Sequence, residues 1–315
     1  MILVMYSNFA PSHDHLARLA ELSGGMPVCP VRSEEAALHR APEAQVILGH
    51  RFLWQTLVHA EKVRWIQSTA SGMDAIITPI LRQRGPLLTR ATVSSQIVAF
   101  HAFAMAAALV RRLPECFANQ SRARLTRPEG LLPLPKRVLV LGLGEIGRAV
   151  AVLMRSLGMY VVGAARSTSP DKASACDVLV VGSGWHGHLG TTDILFVALP
   201  LNGETQGVIS AEAIAALPAH AVIVNIGRGA CLDWTAATVA LLNGDLGGLA
   251  VDATDNLPDA SSRVWQAPNF LLTPKMAALH PGIQTDMERF VEAQAGRYFR
   301  GEPLLNVVNY ADSDS

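Results

Sequence analysis

Charge is scarce in this sequence, and neither sign exceeds the other. The 315 residues include 26 Lys and Arg against 26 Asp and Glu, so the formal net charge is zero and charged residues make up 17% of the chain. A chain without a broad positive field does not attract nucleic acid or an anionic membrane surface. We therefore expect no nucleic-acid and no membrane partner, and we interpret Arg122, Arg124 and Arg127 as a solvated face of a polar connector.

Cysteines and long hydrophobic runs are also scarce. The four cysteines, Cys29, Cys116, Cys176 and Cys231, are far apart and lack the spacing of metal ligands, which favours a reduced protein with no metal site. The chain begins without a basic segment ahead of its first apolar residues, and its longest apolar helical pattern, residues 97–110, is too short to cross a bilayer. These absences predict a cytoplasmic protein.

Apolar residues are abundant and form half of the chain. The chain is longer than one hydrophobic core usually allows, so two domains are expected. Short apolar runs alternate with helical patterns, which predicts an α/β fold with parallel sheets covered on both faces. Predicted strands of a first unit are residues 2–5, 27–31, 46–49, 65–68 and 86–90. A connector at 118–135 precedes a second unit, whose predicted strands are residues 138–141, 160–163, 178–181, 194–199, 222–225, 249–252 and 270–272.

Helical patterns fill the spaces between these strands. We predict helices at 13–22 and 33–38, and one that starts near Ser95 and breaks at Pro114. An amphipathic helix at 285–299 is expected to return to the first unit, followed by an added strand at 304–308.

A glycine-rich turn opens the second unit. Gly142, Gly144 and Gly147 follow the apolar run 138–141, and Glu145 and Ile146 begin the helical pattern after it. The first glycine allows a tight turn, the second lets a pyrophosphate approach the backbone, and the third lets helix and strand pack closely. Spaced glycines also occur in ordinary turns, but the strand before them and the helix after them favour a dinucleotide-binding turn. We therefore predict that Gly142, Gly144, Glu145, Ile146 and Gly147 bind the cofactor.

The next predicted strand ends in residues that bear on the choice of cofactor. A fold that prefers NAD places a carboxylate there to hold the ribose 2′-hydroxyl. Here Arg166, Ser167 and Thr168 follow the strand, and no acid occurs before Asp171. A solvent-facing arginine is the alternative interpretation. The missing acid together with the arginine favours NADPH, with NAD still possible.

Several sequence blocks together resemble the D-isomer-specific 2-hydroxyacid dehydrogenase family, in particular its glyoxylate/hydroxypyruvate reductases. The blocks are residues 68–74, 142–147, 192–207, 225–230, 249–252 and 272–274, and the resemblance extends from about 65 to 303. It implies two Rossmann-like domains with doubly wound parallel sheets, a nucleotide domain at 99–280 inserted in a discontinuous substrate domain at 1–98 and 281–315, a cleft between them, and usually a homodimer.

The resemblance also implies roles for residues at strand ends. Arg228, flanked by Gly227 and Gly229, corresponds to an arginine that contacts substrate, and a guanidinium suits bidentate binding of a 2-keto acid carboxylate. Backbone amides of Ser71 and Gly72 would receive the same carboxylate, although an ordinary turn is the alternative. The remaining matching positions would contact the cofactor: Leu199, Pro200, Thr205, Ile226, Gly227, Asp252 and Ala277. Taken alone, Asp252 could equally cap a turn.

Two departures from the family affect the chemistry. Lys275 stands where the family has its general-acid histidine, and the partner glutamate has no counterpart, since Asp255 is the nearest acid but its spacing differs. Phe100 also replaces a glutamate at the start of the long helix. Lysine can donate a proton to a forming alkoxide and stabilise its negative charge. His280 is a reserve candidate for the acid, and His50, Arg51, Phe52 and Trp54 are candidates to line the substrate pocket.

The sequence thus predicts an NADPH-dependent reductase of a small 2-keto acid, with Arg228 and Lys275 as its catalytic pair. Two alternatives stay open. The first is a dinucleotide-binding regulatory protein that has lost turnover, in which Lys275 is a relic. The second is a reductase of a different kind of carbonyl substrate.

Overall fold

The computed structural model describes residues 1–74, 76–253 and 255–310. Thr254, in the segment after Asp252, and residues 311–315, which the predicted substrate domain includes, lie outside the described residues. The chain divides into two compact units, Met1–Val93 with His280–Ser315, and Ser94–Leu279. The predicted boundaries at 98/99 and 280/281 lie close by; the first break falls earlier because the long helix from Ser95 packs as a whole in the second unit.

The first unit contains a five-stranded parallel sheet in the order β2-β1-β3-β4-β5. Its strands are β1 (Ile2–Met5), β2 (Val28–Pro30), β3 (Val46–Gly49), β4 (Trp65–Gln67) and β5 (Leu87–Thr89). Its helices are α1 (His13–Leu22), α2 (Glu34–Arg40), α3 (Leu53–His59), α4 (Pro79–Arg84) and, from the chain end, α11 (Ile283–Phe299). The predicted return of the last helix to this unit is confirmed, because Met287, Val291 and Ala295 of α11 join the core that contains Ile2 and Val4.

The second unit contains a seven-stranded parallel sheet in the order β12-β11-β10-β9-β6-β7-β8. Its strands are β6 (Arg137–Leu141), β7 (Tyr160–Ala165), β8 (Val178–Val181), β9 (Ile194–Val197), β10 (Val222–Asn225), β11 (Gly248–Val251) and β12 (Phe270–Leu272). Its helices are α5 (Ser95–Val110), α6 (Leu113–Gln120), α7 (Glu145–Ser156), α8 (Pro170–Ala175), α9 (Ala211–Ala215) and α10 (Trp234–Asn243). The strand order reverses between β6 and β9, which is where doubly wound sheets bind ligands.

Both faces of this second sheet are buried. Val138 and Val140 of β6 join a core with α5 and α7, whereas Leu139 and Leu141 join the opposite core with α9 and α10. Alternate residues of a strand point to opposite faces, so a strand covered on both sides must be apolar throughout. This is the physical reason for the continuous apolar runs in the sequence.

Two local predictions differ from the structure. Pro114 does not simply end the long helix; it lies in the first turn of α6. The backbone N–H groups of a first turn have no partner within the helix, so a proline there costs no hydrogen bond. Consequently the helical region extends to Gln120, and the connector starts later than predicted. The added strand at 304–308 is reduced to a single antiparallel bridge between Thr89 and Val307. Within the described residues, no individual helix meets the length and hydropathy needed to cross a membrane, and only the bent pair α5 and α6 does so jointly.

Candidate active site

The turn between β6 and α7 is shaped by its glycines. Gly142 has φ +90°, and a Cβ there would lie 2.7 Å from the carbonyl oxygen of Ala198. A Cβ on Gly147 would overlap the carbonyl oxygen of Gly142, so helix and strand approach too closely for any side chain. Gly144, in contrast, has open space where its Cβ would point. Gly144 also precedes the first turn of α7, so the backbone is accessible where a phosphate would meet the helix N-terminus. These features fit a dinucleotide.

Glu145 and Ile146 occupy the first turn of α7, as predicted, but Glu145 is engaged by an ion pair with Arg148 on the same helix. Both residues lie in the helix turn that a phosphate would meet, where backbone N–H groups can bind an anion.

The segment after β7 contains a second cation that the sequence reasoning missed. Arg166, Ser167 and Thr168 are exposed at the carboxyl end of this strand. Lys172, in the first turn of α8, reaches back so that its Nζ donates to the carbonyl oxygen of Ser167 at 2.9 Å and to its Oγ at 3.0 Å. Lys172 is close to Ser167 in sequence, so a basic residue in the first turn of the next helix was the signal that could have found it.

The loop after β9 is held by Thr205. Its Oγ1 donates to the carbonyl oxygen of Pro200 at 2.6 Å and accepts from the amide of Asn202 at 2.9 Å. Leu199, just before this loop, lies against both Gly142 and Gly227. These contacts show that Leu199, Pro200 and Thr205 stabilise the loop at the sheet edge, independently of any cofactor contact.

Arg228 follows β10 in a turn that Asn225 holds. The Asn225 side chain is fully buried; it accepts from the amide of Gly227 at 2.9 Å and donates to the carbonyl oxygen of Arg228 at 2.8 Å. Gly227 is necessary, since a Cβ there would lie 2.6 Å from the carbonyl oxygen of Leu199. Asn225 is a site residue that sequence reasoning missed, and a polar residue at the end of a buried strand was its signal. Burial raises the pKa of the Cys231 thiol nearby, which keeps it unreactive.

The turn after β12 carries Lys275 and is anchored by Asp252. Asp252 directly follows β11 and is 7% exposed. Its carboxylate accepts from the Oγ1 of Thr273 at 2.7 Å, the amide of Met276 at 2.9 Å and the amide of Ala277 at 3.0 Å. Lys275 lies between these anchors with φ +53° and an exposed side chain. A left-handed backbone in a non-glycine residue costs roughly 1–2 kcal/mol.

The structure thus brings Arg228, Asp252 and Lys275 to one edge of one sheet. They follow β10, β11 and β12, three neighbouring parallel strands, and the glycine turn follows β6 at the same edge. Ile226 and Ala277, the other predicted cofactor contacts, are buried beneath this edge. No group of three or more His, Cys, Asp or Glu suited to a metal ion occurs in the part of the chain that the structure describes.

Comparison with known proteins identifies the family. Residues 103–277, more than half of the chain, match the model of the D-isomer specific 2-hydroxyacid dehydrogenase NAD binding domain. The chain belongs to the D-isomer specific 2-hydroxyacid dehydrogenases.

Relatives in this family cover nearly the whole chain. D-3-phosphoglycerate dehydrogenase of Methanocaldococcus jannaschii is 26% identical over 305 residues, which are 95% of this chain but only 58% of that relative. Glyoxylate/hydroxypyruvate reductase of Arabidopsis thaliana is 25% identical over 96% of this chain and 86% of its own length. The structure of a D-isomer specific 2-hydroxyacid dehydrogenase from Xanthobacter autotrophicus Py2, in complex with NADPH and MES, has a TM-score of 0.81 and 25% identity, and covers 99% of each chain.

Three other residues singled out in the sequence of this 2-hydroxyacid dehydrogenase are His280, Asp255 and Phe100. His280 lies two residues before Gly282, the N-cap of α11: its Nδ1 accepts from the amide of Gly282 at 3.2 Å, and its Nε2 lies 3.7 Å from Asp286. Both ring nitrogens thus have partners at the start of this helix, which gives no support for His280 as the acid. Asp255 lies against Gly229, and its Oδ2 is buried without a hydrogen-bond partner among the described residues. Phe100 on α5 is 59% exposed, so it fills no core position.

The first unit has its own polar cluster at the carboxyl edge of its sheet. His50 follows β3, and its ring nitrogens lie 3.4 Å from the Oγ of Ser7, 3.4 Å from that of Ser68 and 3.2 Å from the Oγ1 of Thr69. Burial lowers the pKa of His50, which favours the neutral form of its imidazole. Arg51 stacks over the ring of Phe52, Trp54 is mostly exposed, and the Ser71–Gly72 loop follows β4 at this edge.

Proposed function

We propose that the protein is an NADP-dependent oxidoreductase that reduces a small 2-keto acid to the D-2-hydroxy acid. The observation that carries this proposal is the placement of two cations, Arg228 after β10 and Lys275 after β12, on either side of β11 at the edge where the glycine turn opens. A keto acid presents a carboxylate and a carbonyl that becomes negatively charged on reduction, and two cations at one edge suit both charges.

Each residue has a distinct part in this reaction. Gly142, Gly144 and Gly147 would hold the pyrophosphate of a dinucleotide, and the bound reduced nicotinamide supplies the hydride. The Arg228 guanidinium binds the substrate carboxylate and polarises the carbonyl, while the ammonium of Lys275 donates a proton to the alkoxide oxygen. One well-placed donor to a developing oxyanion lowers the activation free energy by roughly 3–4 kcal/mol. The amides of Ser71 and Gly72 remain predicted carboxylate ligands on the family resemblance alone.

A panel of 2-keto acids tests the reaction. We expect the protein to oxidise NADPH with glyoxylate, hydroxypyruvate or pyruvate, and Lys275→Ala to lower kcat by roughly 100-fold or more while NADPH still binds. Lys62→Ala, which removes an exposed ammonium of the first unit that the proposed reaction does not use, controls for loss of charge and should leave kcat near that of the parent protein. No oxidation across the panel, with tight NADPH binding, would favour the regulatory alternative.

The preference for NADPH is supported by the pair of cations after β7. Arg166 and Lys172 both belong to the segment that would meet a 2′-phosphate, and no carboxylate precedes Asp171 to hold a 2′-hydroxyl. We expect Arg166→Glu to weaken NADPH binding far more than NADH binding. Arg32→Glu, a charge reversal on an exposed arginine of the first unit, should change neither. Equal losses for both cofactors would contradict the assignment.

The homodimer also stays a proposal. Phe117 on α6 and Leu125 and Leu134 in the connector are exposed apolar side chains that a partner would cover. Sedimentation of the purified protein, and of a variant with charged residues at these positions, tests it.

A further inference from the structure

We propose that His101 is a positioning residue that, through Thr273 and Asp252, fixes the turn presenting Lys275. This inference rests on the proposed function, since it concerns the residue that would donate the proton. His101 lies on α5, far in sequence from the turn, and no part of the reaction described above uses it.

The contacts form a continuous path. The Nε2 of His101 lies 3.1 Å from the Oγ1 of Thr273 and 3.9 Å from the Oδ1 of Asp252. Thr273 in turn lies 2.7 Å from Asp252, which accepts the amides of Met276 and Ala277. Imidazole, hydroxyl, carboxylate and turn are therefore joined by successive polar contacts within one unit.

The protons on this path can be assigned. The Asp252 carboxylate only accepts, so the single proton of the Thr273 hydroxyl is donated to it. The same hydroxyl can then only accept from His101, and the His101 ring must carry its proton on Nε2. The imidazole thereby holds the hydroxyl in the one rotamer that donates to Asp252.

The turn needs such anchoring because of its backbone conformation. Lys275 adopts φ +53°, a region that a lysine rarely occupies unless the surroundings impose it. Thr273 anchors the chain before Lys275, and Met276 and Ala277 anchor it afterwards, all on the same carboxylate. His101 is itself held firmly, since its neighbours Ala102 and Met105 on α5 belong to the core of the unit.

Substitutions of His101 by side chains of different length can test its contact with Thr273. His101→Leu removes the donor, whereas His101→Gln carries an amide nitrogen at about the distance of Nε2, and His101→Asn carries the same amide one methylene shorter. Gln96→Leu, at an exposed position of α5, controls for a leucine on this helix. Two readouts are taken on the full chain: hydrogen exchange of a peptide covering residues 273–279, and kcat and KM for the keto acid.

We expect faster amide exchange in this peptide for His101→Leu and His101→Asn, and parent-like exchange for His101→Gln and Gln96→Leu. In His101→Leu, kcat should fall roughly 10- to 100-fold, the scale of a misplaced catalytic group, while KM stays unchanged because Arg228 is held by Asn225. Rescue of both readouts by His101→Gln supports positioning over mere structural support.

Unchanged exchange in His101→Leu overturns the inference, and so does faster exchange with unchanged kcat. If the parent protein reduces no 2-keto acid, the proposed function fails, and the anchoring of the turn is then decided by the exchange measurement alone. The two failures are therefore distinguishable.

Discussion

The turn at 142–147 and the turn at 273–277 lie at the same edge of the same sheet, yet they are held in shape by opposite means. The first is defined by missing side chains, because Gly142 and Gly147 approach backbone oxygens that a Cβ would strike. The second is defined by one side chain, the Asp252 carboxylate, which binds three donors of the turn. One turn is fixed because its backbone leaves no room for side chains. The other is fixed by hydrogen bonds to a carboxylate that is remote in sequence.

The two solutions also place their strain differently. Glycine adopts positive φ without steric penalty, so Gly142 at φ +90° is unstrained. Lys275 at φ +53° has a strained backbone, and the conformation of its turn depends on the hydrogen bonds around it. Substitutions can therefore separate the two modes.

The largest effect is expected at the glycine turn. Gly147→Ala forces a methyl group onto the carbonyl oxygen of Gly142, so the free energy of unfolding should fall by about 3 kcal/mol or more. Gly144→Ala meets open space and should leave stability unchanged while weakening dinucleotide binding. Thermal unfolding and cofactor titration measure both; equal stability of the two variants would contradict the steric account.

A smaller effect is expected at the carboxylate anchor. Asp252→Ala leaves Thr273 and the amides of Met276 and Ala277 without their acceptor. Only the Ala277 contact is buried, so water can replace the other two, and the free energy of unfolding should fall by roughly 1–3 kcal/mol. Asp252→Asn retains one acceptor oxygen and should fall between this variant and the parent protein. Denaturant unfolding gives the ranking, and a stability of Asp252→Ala equal to that of the parent would show that the turn holds itself.

The smallest effect is a gain. Lys275→Gly relieves the left-handed backbone and should raise the free energy of unfolding by about 1 kcal/mol. Lys275→Ala keeps the conformational penalty and serves as the matched control for loss of the ammonium. If both variants unfold at the same temperature as the parent protein, the turn stores no strain.

The same comparison explains how much could be predicted from the sequence. Glycine spacing is local, so the 142–147 turn, its flanking strand and helix, and the apolar strands of both units were predictable. The Asp252 contacts join residues that are remote in sequence, and so does the contact of His101 with Thr273. Side-chain anchors of this kind depend on the completed fold, and no spacing rule announces them. Asp252 was expected at a strand end, but its role as the acceptor for this turn emerges only from the structure.

The position of the two cations after β7, near the surface, bears on how salt affects cofactor selectivity. Arg166 is exposed and Lys172 is tied to Ser167 near the surface, so dissolved ions reach both charges. Screening shortens the range of such surface interactions as ionic strength rises. If these residues select the phosphorylated dinucleotide, discrimination between the two pyridine nucleotides would therefore shrink in concentrated salt, and selectivity would depend on the medium in which the protein works.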